Sequence, residues 1–237
     1  MAGLDKSKKR CITGIPGFDK LCEGGLVQGS VNVLLGGPGA GKTTFLLQFL
    51  YNGASKFKEN GLFISFEPDL TSLEEDAAQL GMDFTKLVDS KKCHFLRLLP
   101  RTEVRDMKEQ LATMIKKHDI KRICMDPISV FSISSDKPSD FREAIFDLTV
   151  MLKKLNVTII LSDETIEGAT GELSLGNGDF KSEPLKFLAD AVINLYSSGL
   201  GGVSDRAVRI SKMRRTAHVR GPVGFQITNS GIKVSGK

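Results

Sequence analysis

A glycine-rich stretch at residues 36–43 has the residue types and spacing that point most directly to chemistry. It fits the pattern G-x-x-x-x-G-K-[ST], in which glycines let the backbone turn sharply and aim its N–H groups at phosphate oxygens. The Lys42 ammonium can neutralise the β- and γ-phosphates of a nucleotide, and the Thr43 hydroxyl can ligate Mg²⁺. The residues predicted to line the phosphates are Gly37, Pro38, Gly39, Ala40, Gly41, Lys42, Thr43 and Thr44.

Two predicted elements flank this stretch. Residues 31–35 are predicted to form a buried strand that enters the loop, and residues 43–50 a helix that leaves it. The N-terminal dipole of that helix would point at bound phosphates. The alternative is a structural glycine turn with a solvated lysine, but the order of strand, loop and helix favours a phosphate site.

A second element of such a site is a carboxylate at the end of a later strand. Residues 122–126 form an apolar run that ends in Asp126. From this position a carboxylate can hold the coordination shell of Mg²⁺, usually through water. Thr43 and Asp126 are therefore the predicted metal residues.

Two further predicted strands end in acidic residues. Glu67 follows the strand 61–66, which Pro68 ends because proline cannot donate to a ladder. Ligands of parallel α/β sheets lie at the carboxyl ends of the strands. Glu67 could therefore polarise the water that attacks the γ-phosphate, or it could simply cap the strand and face solvent. Residues 162–164, Ser-Asp-Glu, follow the strand 157–161 and would lie beside the γ-phosphate.

Predicted strands and helices alternate along most of the chain and are followed by strands alone. This order indicates an α/β fold with a three-layer core, in which helices cover both faces of a mainly parallel, twisted sheet and antiparallel strands extend it at the C-terminal end. The later predicted elements are helices at 103–117 and 138–155 and strands at 190–196, 206–214, 224–228 and 231–234. We expect residues 1–10 to form a basic arm and residues 11–237 a single domain.

Composition limits the class of protein. The chain has 237 residues, of which 41% are hydrophobic, enough for a sizeable core. It shows no signal peptide and no bilayer-spanning stretch, so we expect a cytoplasmic protein without a membrane partner. The net charge of +5 permits a nucleic-acid partner without requiring one. The four cysteines lack metal-site spacing and are expected to be free thiols: Cys11, Cys22, Cys93 and Cys124.

Three segments together resemble a known family. They are TGIPGFDKLCEGGL at residues 13–26, the phosphate loop, and KMRRTAH at residues 212–218. In this combination the chain resembles the KaiC-type branch of the RecA-like ATPases, and the resemblance covers residues 11–234. It implies a RecA-like P-loop core that binds ATP and Mg²⁺ and forms homo-oligomeric rings, with hexamers as the expected form and nucleotide at the subunit interfaces.

The resemblance also implies roles for individual residues. Glu67 matches the catalytic glutamate of the family, although Pro68 stands where a second glutamate is common. The segment that reaches the nucleotide of the neighbouring subunit corresponds to Lys212, Met213, Arg214, Thr216 and His218. Lys42, Glu67 and Arg214 are thus the predicted catalytic residues. Arg215 stands where the family usually has a glycine. Glu164 matches a glutamate of the family that an arginine usually follows, and Thr165 stands in place of that arginine.

The sequence leaves three functions open. The first is an ATPase whose turnover drives conformational signalling in a ring. The second is an ATP-sensing assembly factor that hardly hydrolyses ATP, an option that Pro68 supports. The third is a recombinase-like protein that binds single-stranded DNA, which the acidic residues of the segment 168–187 do not favour. The basic strand that contains Lys212 and Arg214 could also be a solvated sheet edge.

Overall fold

Strands and helices alternate along the chain until the last strands, which follow one another directly. The computed structural model describes residues 9–66, 70–99, 102–129, 138–164, 183–199 and 205–235. The strands are β1 (Arg10–Cys11), β2 (Leu26–Val27), β3 (Val31–Gly36), β4 (Asn60–Ser65), β5 (Cys93–Arg97), β6 (Ile120–Asp126), β7 (Thr158–Glu164), β8 (Ala191–Ser197), β9 (Arg206–Met213), β10 (Val223–Thr228) and β11 (Gly231–Val234). The helices are α1 (Lys42–Lys56), α2 (Thr71–Gln79), α3 (Thr85–Asp89), α4 (Val104–His118), α5 (Pro138–Lys154) and α6 (Glu183–Leu188), with a 3₁₀ helix at Asp19–Cys22.

Within the described residues, nine strands form one sheet in the order β11-β10-β9-β8-β3-β7-β6-β4-β5. The strands from β8 to β5 in this order pair in parallel. The strands β9, β10 and β11 extend the sheet in antiparallel fashion. This topology confirms the predicted mainly parallel sheet with antiparallel strands at its C-terminal end.

The sheet separates two hydrophobic cores. Because successive side chains of a strand point to opposite faces, neighbouring residues of β3 pack in different cores. Leu34 packs in the core that contains Phe45 of α1, whereas Val33 and Leu35 pack in the core that contains Leu111 of α4. Helices on both faces give the three layers that the sequence predicts. None of the helices in the described part of the chain is long and apolar enough to cross a membrane.

The parallel strands give the sheet two ends. The carboxyl end is where β3, β6 and β7 finish, and the amino end is where they begin. Strand β9 runs in the opposite direction, so Met213 at its end pairs with Ala191 at the start of β8. A strand of six residues such as β3 is about 20 Å long. The residues that follow β3 and the residues that follow β9 therefore lie at opposite ends of the sheet.

The four cysteines are buried free thiols. Burial raises the pKa of Cys11 to about 12, that of Cys22 to about 12 and that of Cys93 to about 12. These thiols are protonated at neutral pH, and a protonated thiol is a poor nucleophile and a poor metal ligand. Among the residues described above, no group of three or more His, Cys, Asp or Glu side chains is placed to hold a metal ion.

Candidate active site

The phosphate loop joins the end of β3 to the start of α1, at the carboxyl end of the sheet. Gly41 precedes the first residue of α1 with a φ of 95°, a conformation that residues with a side chain rarely adopt. Gly36 is required for a different reason, since an added Cβ would meet the carbonyl oxygen of Leu195 on β8 at 2.6 Å. The first N–H groups of α1 have no intrahelical partners and are directed at the loop, which is a favourable arrangement for binding an anion.

The Lys42 ammonium lies over this loop, and its side chain is 9% exposed. It donates hydrogen bonds to the carbonyl oxygens of Gly36 and Gly37 at 2.9 and 3.0 Å. Glu164, at the end of β7, has its nearest carboxylate oxygen 3.9 Å from the same nitrogen and is largely exposed. The ammonium is thus held mainly by neutral groups, and a phosphate bound in the loop would be a stronger partner.

The two predicted metal residues are in direct contact. Thr43 Oγ1 donates a hydrogen bond to Asp126 Oδ2 at 2.7 Å. Ser162 on β7 donates a short hydrogen bond to the other carboxylate oxygen of Asp126. Two hydroxyls and a carboxylate supply oxygen atoms, which are the ligands that Mg²⁺ prefers. The residues present therefore fit a magnesium ion, with Ser162 orienting the carboxylate.

The hairpin formed by β10 and β11 packs beside the phosphate loop. A Cβ added to Gly41 would lie 3.0 Å from the side chain of Ile227. Buried Gln48 of α1 fixes the hairpin, because its amide group donates to the Ile232 carbonyl at 3.1 Å and accepts from the Ile232 N–H at 2.7 Å. The sequence predicts both strands of this hairpin but not their place beside the phosphate loop. The available signal was Gln48, a polar residue within an otherwise apolar helix segment.

The residues of the segment 212–218 lie at the amino end of the sheet, away from the phosphate loop of their own chain. Lys212 donates to the carbonyl oxygens of Lys186 and Phe187 at 3.0 and 3.2 Å. Arg214 donates to the same Phe187 oxygen at 3.4 Å. Burial and then the nearby charge of Arg214 lower the pKa of Lys212. Met213 is the last residue of β9.

The other two residues of this segment have local partners. The Thr216 hydroxyl accepts a hydrogen bond from Arg10 at 2.8 Å. His218 Nδ1 lies 3.1 Å from the Val219 carbonyl oxygen. The structure thus groups Lys42, Thr43 and Asp126 at one end of the sheet and the segment 212–218 at the other.

Buried Asp190, just before β8, organises the amino end. Its Oδ2 accepts hydrogen bonds from the N–H of Val31 at 3.0 Å and from Lys153 at 2.8 Å. Arg215 lies 3.5 Å from Oδ1, and the N–H of Arg214 donates to the Asp190 carbonyl at 2.8 Å. Burial raises the pKa of Asp190, but these hydrogen bonds and the two cations outweigh it and hold the pKa below its usual value.

Comparison with known proteins identifies the family of this chain. The family model described as "ATPase: KaiC" matches residues 11–237. The chain belongs to the KaiC ATPase family. Two relatives are circadian clock oscillator proteins: KaiC of Parathermosynechococcus lividus, 31% identical over 231 residues, and KaiC 1 of Synechocystis sp., 32% identical over 238 residues. These alignments cover 94% and 97% of this chain but 41% and 44% of the relatives, so the chain spans about two-fifths of their length.

A solved structure of the same family has the same fold. The crystal structure of a KaiC-like protein from Pyrococcus horikoshii OT3 matches with a TM-score of 0.82 and 32% identity, covering 96% of this chain and 99% of that one. This match confirms the predicted KaiC-type, RecA-like fold. Arg215 has a φ of 61°, which is in the left-handed region of backbone conformation. Glycine, which is usual at this position in the family segment, adopts that conformation without strain.

Some predicted features lie outside the described residues. They are Glu67 and Pro68, Thr165, residues 1–8 of the basic arm, and residues 168–182 of the acidic segment. The role of Glu67 as the residue that orients water therefore stays a prediction.

Asp126→Asn should weaken the dependence of nucleotide binding on Mg²⁺. The amide cannot replace the carboxylate charge beside Thr43, and outer-shell partners of a metal typically contribute about 10–100-fold to its affinity. We expect the Mg²⁺ concentration at half-maximal ATP binding to rise by about this factor in a calorimetric titration. Asp147→Asn, which removes an exposed carboxylate on α5, is the matched control. Equal Mg²⁺ dependence in Asp126→Asn and wild type would exclude a metal role for Asp126.

Proposed function

We propose that this protein is an ATP-binding, Mg²⁺-dependent ATPase that acts as a homo-oligomeric ring, expected to be hexameric, with nucleotide at the subunit interfaces. The observation that supports this proposal most directly is the division of cationic groups between the two ends of one sheet. Lys42 lies with Thr43 and Asp126 at the carboxyl end. Lys212 and Arg214 lie at the amino end, so they can assist only the site of another copy.

Each residue has a role in this mechanism. The N–H groups of the loop and the Lys42 ammonium bind the triphosphate and orient its terminal phosphate. Thr43 and Asp126 would hold Mg²⁺, which when bound would supply positive charge to neutralise the triphosphate. The Glu67 carboxylate orients the attacking water and accepts its proton. Lys212 and Arg214 of the neighbouring subunit stabilise the charge that develops on the transferred phosphoryl group.

The second candidate function is ATP sensing with slow hydrolysis. Pro68 follows Glu67 where the family commonly has a second glutamate, which favours an ATP-sensing assembly factor with slow turnover. The clock role named for the cyanobacterial relatives is not proposed for this chain, which spans about two-fifths of their length.

Phosphate release from ATP tests the proposal. We expect release that requires Mg²⁺, stops on addition of EDTA, and does not require DNA. A heat of ATP binding without phosphate release would favour the sensor instead. Release that depends on single-stranded DNA and falls steeply with salt would favour a recombinase-like function. If neither ATP nor ADP gives a heat of binding, the proposed nucleotide site is wrong.

A further inference from the structure

Phe187, near the end of α6, combines an exposed ring with two cations. Its side chain is 81% exposed, the highest value among the large exposed hydrophobic residues of the described chain. Its carbonyl oxygen accepts hydrogen bonds from both Lys212 and Arg214, at 3.2 and 3.4 Å. An apolar ring and the two cations predicted to act on a neighbouring nucleotide are therefore presented together.

This group, Phe187 with Lys212 and Arg214, lies at the amino end of the sheet, where the local charge is positive. Lys153 and Arg215 lie beside the same segment through their contacts with Asp190. At the carboxyl end the Asp126 and Glu164 carboxylates lie near the loop together with the Lys42 ammonium, and a bound triphosphate makes the local charge clearly negative. The amino end of one copy is thus complementary in charge to the carboxyl end of another copy.

We infer that Phe187 is the apolar anchor that seats the amino end of one subunit on the carboxyl end of the next copy and so positions Lys212 and Arg214 at its phosphates. This inference rests on the proposed function. Such a contact joins unlike surfaces of identical chains, the head-to-tail type that forms a ring when the rotation between successive copies closes. Aromatic residues, phenylalanine included, and arginine are enriched in protein interfaces relative to the rest of the surface.

The positions of the two cations support a positioning role. In the free subunit the carbonyls of Lys186 and Phe187 already hold Lys212 and Arg214 next to the anchor. Burying the Phe187 ring against the next copy would therefore bring both cations to the phosphates of that copy. Because the two side chains are already held in position, they would lose little conformational freedom on assembly. Phe187 itself does not contact the reacting atoms in this arrangement.

Phe187→Ala tests the inference by its effect on assembly. With ATP and Mg²⁺ present, we expect the protein concentration at half-assembly, measured by light scattering, to rise about 10–100-fold. Phe146→Ala removes another ring, 51% exposed in the middle of α5, and should assemble as wild type does. Phe187→Leu retains apolar area and should restore most of the assembly.

A second readout separates positioning from chemistry. At protein concentrations that drive assembly, phosphate release per Phe187→Ala subunit should return to within about two-fold of wild type, because Lys212 and Arg214 are still present. The inference is overturned if Phe187→Ala assembles at wild-type concentrations, if Phe146→Ala weakens assembly equally, or if wild type does not assemble at all. Wild-type protein that neither binds nor hydrolyses ATP would instead refute the proposed function. An active wild-type ring insensitive to Phe187→Ala would refute this inference alone.

Discussion

Subunits with Lys42→Ala and subunits with Arg214→Ala, each inactive alone, should restore ATP hydrolysis when they are mixed. Lys42 and Arg214 lie at opposite ends of one sheet, about 20 Å apart along a six-residue strand. One chain cannot bring both side chains to one nucleotide, but two head-to-tail copies can. In a mixed ring, the intact loop of an Arg214→Ala subunit meets the intact arginine of a Lys42→Ala neighbour.

The expected effect is large. An arginine supplied by a partner is worth about 10³–10⁵ in the rate of phosphoryl transfer, so each variant alone should fall to background. Random mixing at equal concentrations completes the site at about one interface in four, and the mixture should regain about a quarter of the wild-type rate. The measurement is phosphate release after the subunits are mixed without nucleotide and then given ATP and Mg²⁺.

The matched control is a mixture of Lys42→Ala subunits with the double variant Lys42→Ala/Arg214→Ala. Every interface in this mixture lacks the loop lysine, so it should stay at background. The proposal of a shared site fails if the test mixture is as inactive as this control although light scattering shows mixed assemblies. It also fails if Arg214→Ala alone hydrolyses ATP at the wild-type rate.

The carboxyl end of the sheet could be predicted from the sequence because local rules determine it. The glycine spacing defines the loop between β3 and α1, and the apolar run of β6 ends at Asp126. Parallel pairing then brings the ends of neighbouring strands together, so the contact between Thr43 and Asp126 follows from topology and from the motif.

Contacts between distant segments could not be predicted in the same way. Gln48 and Ile232 are 184 residues apart in sequence, and no periodic pattern pairs them. Ser162 was expected beside the γ-phosphate, but its hydrogen bond to Asp126 depends on the detailed placement of β6 against β7. The position of Lys212 and Arg214 relative to the loop depends on the direction in which β9 runs. The alternation of polar and apolar residues predicts a strand there but does not predict its direction. Arg122, the third residue of β6, is the clearest such case.

Arg122→Ala should destabilise the fold strongly. The Arg122 side chain is fully buried on β6. It donates to Glu59 at 2.6 Å, to the Phe49 carbonyl at 2.9 Å and to the Ile12 carbonyl at 2.8 Å. Its guanidinium also lies 4.6 Å from the centre of the Phe49 ring. One side chain therefore links the N-terminal segment, α1, the residue before β4, and the centre of the sheet.

The cost comes mainly from the groups that would lose their partner. Removing one member of a fully buried ion pair typically destabilises a protein by about 3–5 kcal/mol, because the other charge stays without compensation. Glu59 is 27% exposed and can regain some hydration, but the Phe49 and Ile12 carbonyls would also lose their donor, so we expect a cost in this range. For a domain of this size that corresponds to a fall of about 6–20 °C in the midpoint of thermal unfolding. Circular dichroism without nucleotide, at one protein concentration, measures this midpoint. Arg105→Ala, which removes an exposed arginine paired with Glu109 on α4, should change the free energy of unfolding by less than about 0.5 kcal/mol.

A double variant distinguishes loss of the ion pair from loss of packing. If the uncompensated Glu59 carboxylate causes much of the cost, Arg122→Ala/Glu59→Ala should be less destabilised than the sum of the two single variants. If the cavity left by the guanidinium causes it, the two effects should add. Arg122→Lys keeps the charge but cannot reproduce the planar set of donors that reaches Glu59, Phe49 and Ile12, so it should recover only part of the stability. An Arg122→Ala midpoint equal to that of Arg105→Ala would show that this buried network contributes nothing to stability.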